Sequence, residues 1–113
     1  MILAMDKHSA LYVFTSTEDA QQQLEAIDVQ QGAFEFCDTS GQRYVPEFTR
    51  PARVRRLGPL GIVDVGLFTL VAQGDIDSTL PERLIERAAH MEHTSIPTLT
   101  NIEALRHEIR KRA

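Results

Sequence analysis

The chain has no tryptophan, one cysteine (Cys37), two lysines and no long uninterrupted apolar run. A single cysteine excludes a disulfide scaffold, which needs pairs. A membrane-spanning helix needs about 18 consecutive apolar residues. The longest apolar-rich stretch, Ile62 to Ala72, is interrupted by Asp64, Gly66 and Thr69. The start, Met1-Ile-Leu-Ala-Met5 and then Asp6-Lys7-His8, lacks the basic lead, the length and the small-residue cleavage site of a secretory signal. Together with the unpaired cysteine, this points to the cytosol. Cys37 lies in a strand-like run and reads as a packing residue, since a reactive thiol needs a neighbour that stabilises the thiolate. Ten Arg against two Lys suggest a GC-rich, bacterial genome.

What is present is ordinary for a globular domain. Of 113 residues, 42% are apolar and 25% charged, too apolar and too evenly charged for a disordered tail. The length suits one domain over 1–113 and leaves no room for a second core.

Ala10–Thr15 is apolar on both faces and reads as an inner strand. Ser16-Thr-Glu-Asp19 then offers a hydroxyl cap and acids for a helix N-terminus. Ala20, Leu24 and Ile27 recur at i, i+4 and i+7, predicting one amphipathic helix of about three turns. Phe34 and Phe36 share a strand face, Asp38-Thr-Ser-Gly41 has turn chemistry, and Gln42–Val45 resumes extended, giving a hairpin with its tip near Ser40-Gly41. Pro46 and Pro51 limit the next segment to an edge or a connection. Gly58-Pro-Leu-Gly61 is a turn. Ile62–Gln73 is the strongest strand signal; Gly66 marks either a bulge or a break between two pieces, and the inner part, Gly66–Ala72, apolar on both faces, should lie centrally in the sheet. Thr79-Leu-Pro-Glu82 reads as a capping box before a helical stripe of Leu84, Ile85, Ala88 and Met91. Thr100-Asn-Ile-Glu103 reads as a second box before Ile102, Leu105 and Ile109, closed by Arg110-Lys-Arg112. The expected fold is α+β: a mainly antiparallel sheet of about 4–5 strands with helices on one face, in the order β-α-β-β-(β)-β-α-α.

The net charge of −4 is unevenly distributed. Residues 1–38 carry seven acids and one Lys, whereas 39–58 carry five Arg and one Glu. Residues 59–82 carry four acids and no base, and 83–113 six bases and four acids. Arg50, Arg53, Arg55 and Arg56 fall within seven residues, with Arg43 upstream. Such a strip can be a solvated edge strand that resists edge-to-edge pairing. It can also be a docking strip for an acidic protein or a small anion, because planar guanidinium groups suit bidentate carboxylate or phosphate contacts. The acidic pI near 5.5 argues against nucleic acid.

Catalytic signatures are sparse. Asp75-Ile-Asp77-Ser-Thr79 after an apolar strand resembles the nucleophile loop of haloacid-dehalogenase-type phosphatases, where one aspartate attacks phosphorus and the second handles the proton. Asp77, Ser78 and Thr79 are better explained as a turn and a helix cap. His90 and His93 would share a helical face, half of a metal site at most. Asp64 interrupts an apolar strand; it reads better as an outward-facing residue before Gly66 than as a buried, perturbed carboxylate. No Gly-x-Ser-x-Gly elbow or Walker-type loop occurs, and no cofactor or metal is implied. The expectation is a non-catalytic binding module, in one version an immunity- or antitoxin-like inhibitor, working through Arg43 and Arg50–Arg56. The alternatives are a small acid–base enzyme using His90, His93 and Asp64, and a structural homodimer paired through the 42–57 edge.

Overall fold

The structure, a computed structural model, describes residues 1–112 apart from 51, 52, 58, 59 and 65; over 50–64 it describes the backbone alone. The fold is α+β, with a six-stranded mixed sheet and four helices. In chain order the elements are β1 (Ile2–Met5), β2 (Ala10–Phe14), α1 (Thr17–Gln23), α2 (Ala26–Gly32), β3 (Glu35–Asp38), β4 (Arg43–Arg50), β5 (Arg53–Leu57), β6 (Leu60–Asp64), β7 (Leu67–Gln73), α3 (Leu80–Arg87), β8 (His90–Thr94) and α4 (Ile102–Arg112). The sheet order is β7-β4-β3-β1-β2-β8, antiparallel throughout except for the parallel pair β2–β8. Strands β5 and β6 form a separate two-stranded antiparallel sheet.

Helices cover both faces of the sheet, not one as the sequence suggested. Strand alternation divides the core. Leu3, Met5, Leu11, Val13 and Cys37 point to α3 and α4, meeting Leu84, Ile85, Leu105 and Ile109. Ile2, Ala4, Phe14 and Phe36 point the other way, to Ala20, Ala26 and Val29 of α1 and α2. All four β1 side chains are therefore buried, a gain of roughly 1.5–3 kcal/mol for each of the larger ones. The segment that sequence reasoning weighed only as a possible leader is the middle of the sheet.

Other expectations are corrected by packing. The single three-turn helix expected on Ala20, Leu24 and Ile27 is two helices, because Ala20, Ala26 and Val29 are the residues that must reach the sheet. Ala20 and Ala26 would lie about 120° apart on one straight helix. Leu24 turns extended (ψ 134°) and lets the second helix redirect its face. The Ser16 cap forms as expected, its hydroxyl accepting from Asp19 N–H. Strand β7 is an edge strand, not a central one: α3 packs on β1 and β3, leaving Leu67 56% and Val71 41% exposed. The 90–94 segment extends as a strand on the free side of β2 instead of continuing a helix, held at its ends by Ala89 N–H to Ser9 O and Ser95 N–H to Val13 O. Thr79 makes no side-chain cap; Asp77 accepts its N–H and hydroxyl instead. At α4 the cap is Asn101, whose Oδ1 accepts from Ala104 N–H, one residue after Thr100.

Pro46 sits in an inner strand without cost. The Leu70 N–H opposite it bonds to Gln21 Oε1 (2.8 Å), so the Pro46–Leu70 pair is one that exchanges no ladder bonds. Its missing N–H points to the side where β3 pairs only as far as Tyr44. The β3–β4 hairpin itself forms as read, with Asp38 Oδ1 accepting from Ser40 N–H, Ser40 hydroxyl and Gln42 N–H across the tip.

Candidate functional site

Two features stand outside the packed body, and both lie at the end of the sheet where β1 turns into β2. The first is the β5–β6 ribbon. Strand β4 runs up past the end of β3 and stays paired with β7 as far as Arg50–Leu67, after a bulge beyond Phe48. Pairing resumes at Arg53–Asp64 on the same register and continues through Arg55–Ile62 and Arg56–Gly61 to Leu57–Leu60. Gly66, at φ 71°, lies between β6 and β7, the break anticipated from its sequence. Strands β5 and β6 make their main contacts with each other. The arginine strip is thus one strand of a ribbon that leaves the sheet. Its partner strand, 60–73, has Asp64 as its sole charged residue.

The five arginines do not form one cluster. Arg50 ends β4 in the six-stranded sheet, whereas Arg53, Arg55 and Arg56 lie on β5 of the ribbon; the side chains of all four lie outside the described part. Arg43 is at the opposite end of β4, opposite Cys37 and Gln73, and lines a shallow cavity with Glu35, Arg83, Glu86 and Arg87 under α3. Seven residues of strand place it about 23 Å from Arg50.

The second feature is a cleft of about 480 Å³ between the β1–β2 turn and the α1–α2 turn. Its wall carries Tyr12 and Phe34, with ring centroids 5.3 Å apart, and its rim carries Asp6, Glu25 and Asp28. The carboxylate of Asp6 accepts from His8 N–H (2.8 Å), Ala10 N–H (3.1 Å) and the Tyr12 hydroxyl (3.0 Å). Burial alone would raise its pKa, but these bonds outweigh burial and hold it below the usual carboxylate range. Burial and the adjacent Asp6 charge push the Tyr12 phenol up to about 12, so it stays protonated and donating. Glu25 and Asp28 are exposed. Lys7, its Nζ 3.4 Å from the Gln31 carbonyl, is the one lysine or arginine on this cleft among the described residues. Sequence reading missed the cleft because its acids come from two segments, the β1–β2 turn and the start of α2, joined only by the fold.

The candidate acid–base residues are not brought together. His90 and His93 lie on β8 at one edge of the sheet, while Asp64 belongs to the ribbon beyond β7 at the other. His90 pairs with Glu92 (2.9 Å). His93 reaches Ser95 Oγ (3.0 Å) and packs on the Phe14 ring. Asp19 also accepts from Ser95, and from Thr15 N–H at 2.9 Å. The direction of the His93–Ser95 bond is set by the imidazole tautomer. Cys37 is fully buried, and burial pushes its thiol up to about 12. Asp77 serves as the turn and cap acceptor and pairs with Arg83. Among the described residues no three His, Cys, Asp or Glu side chains are grouped to hold a metal ion. No described helix is long and apolar enough to cross a membrane. Comparison of the chain with protein-family models, with curated proteins and with solved structures finds no match in any of the three.

Proposed function

We infer that the protein is a non-catalytic interaction module whose working element is the β5–β6 ribbon, docking on an acidic protein surface. The observation that carries this is the ribbon's isolation: two five-residue strands that pair mainly with each other and have Val54, Leu57, Leu60, Ile62 and Val63 in their sequence. An isolated two-stranded hairpin is marginal in water. A partner that covers it supplies the missing burial. The charge asymmetry supplies direction, with arginine on one strand and almost no charge on the other. Guanidinium groups there would find carboxylates bidentately and steer encounter over a Debye length of about 8 Å at physiological salt.

The test is capture of partners from the source lysate at low and high salt, with a parallel bait carrying Arg53→Ala, Arg55→Ala and Arg56→Ala. A stoichiometric protein partner that is weakened by salt and lost with the triple variant is expected. Identical profiles for both baits would remove the ribbon as the docking element.

A further inference from the structure

The ribbon and the acidic cleft answer one another. Residues 43–73 carry five Arg against Glu47 and Asp64, net +3; the remainder has seven bases against fourteen acids, net −7. From His8 to Gln42 there is no Lys or Arg at all, and that stretch supplies both helices over the cleft. The cleft offers a guanidinium group the exposed carboxylates of Glu25 and Asp28, with the Tyr12 and Phe34 side chains in its lining, and these two acids with Asp6 outnumber Lys7, whose Nζ lies 3.4 Å from the Gln31 carbonyl. Asp6 already accepts three hydrogen bonds from the chain, so the rim carboxylates are the ones left for an incoming cation.

Position adds to charge. The register places Met5, Leu11 and Glu35 at one level of the sheet, and β4 climbs past that level before the ribbon begins. The cleft opens just beyond Met5 and Leu11. Ribbon and cleft therefore share one end of the molecule. Two copies meeting at that end about a two-fold axis each present a ribbon to the other's cleft, and the contact closes instead of propagating.

We propose that this chain self-associates as a reciprocal dimer in which the arginine strand of one ribbon, Arg53–Arg56, docks in the cleft bordered by Glu25 and Asp28 of a second copy. This rests on the ribbon being the docking element and names its partner. The source of the cleft's cation is the second copy's arginine, not a free amine.

The experiment is sedimentation velocity on the purified full chain across the micromolar range, at low and high salt. A dimer that dissociates as salt rises is expected. Changing Arg53, Arg55 and Arg56 to Glu, or Glu25 and Asp28 to Lys, should each weaken self-association about a hundredfold. Mixing the two variants should restore a dimer, because each mixed contact again joins opposite charges while both like pairings repel. Neutral versions (Arg→Gln; Glu25→Gln with Asp28→Asn) give the same loss should a charge reversal disturb folding. A wild-type monomer at every concentration in low salt overturns the proposal, as does a dimer indifferent to both variant sets or a mixture that stays monomeric. A monomer that still loses its lysate partner in the Arg→Ala bait leaves the ribbon as docking element and removes only the second copy.

Discussion

Gly41 and Asp77 are in backbone contact: Asp77 N–H donates to Gly41 O (3.1 Å), and a Cβ built on Gly41 would stand 1.8 Å from the Asp77 carbonyl oxygen. The hairpin tip after β3 is therefore sealed against the loop that leads into α3. Gly41 also has φ +93°, where side chains are disfavoured. Gly41→Ala should destabilise by more than about 2 kcal/mol, combining steric displacement of backbone with the dihedral cost. Gly74→Ala is the control. That glycine has φ +76° but no atom within 4 Å of an added Cβ, so about 1 kcal/mol is expected. Urea unfolding of both variants decides the matter, and equal losses would mean that the Asp77 contact is not tight.

Asp38 predicts an acid limb. Burial would raise its pKa, but bonds from Ser40 hydroxyl, Gln42 N–H and Ser40 N–H lower it overall; Asp6 and Asp19 are lowered in the same manner. A carboxylate depressed by folding stabilises above its unfolded pKa of about 3.9 and loses that contribution as pH falls through the lower folded value. The urea midpoint should hold steady from neutrality to about pH 5 and fall below about pH 4. Asp38→Ala should cost about 2 kcal/mol at neutral pH and flatten the acid limb. A variant with an unchanged limb would assign the acid sensitivity to the other carboxylates.

Gln21 guards an edge. Its side-chain oxygen accepts the outward N–H of Leu70 on β7, the only hydrogen bond by which α1 holds that strand among those described. Gln21→Ala should cost about 1 kcal/mol and speed amide exchange at Leu70 more than at Phe68. Uniform acceleration along β7 would indicate loss of helix packing instead of one bond.

How much of the fold and the site was legible in the sequence depends on where each signal resides. Local chemistry carried through: the Ser16 cap, the Asp38–Gly41 turn, the Gly66 break and the basic end of α4 depend on neighbours in the chain. Signals that depend on which layer covers a strand did not. Leu67 and Val71 look like core residues, but no helix reaches their side of β7. His90–Thr94 looks unlike a strand because it is an edge with mostly polar side chains, recruited by the free side of β2. The cleft was invisible for the same reason, since Asp6, Glu25 and Phe34 become neighbours only when β1, α2 and β3 pack together. The arginine strip was visible as composition; its standing as a ribbon needed the β4–β7 register.

That register makes the ribbon removable. Arg50 and Leu67 are paired across β4 and β7, so residues 51–66 can be replaced by Asn-Gly, the two-residue turn that suits antiparallel strands. Because β5 and β6 contact chiefly each other, the six-stranded sheet and both helix layers retain their packing. The shortened chain should melt within a few degrees of the parent, a shift of less than about 1 kcal/mol in stability. It should also stay monomeric at concentrations where the parent self-associates, and capture no salt-sensitive partner. A large loss of stability would mean that the ribbon is part of the folding core, and the interaction reading would lose its structural basis. Retained association would move the interface to the exposed Leu67–Val71 face of β7, which the shortened chain keeps intact.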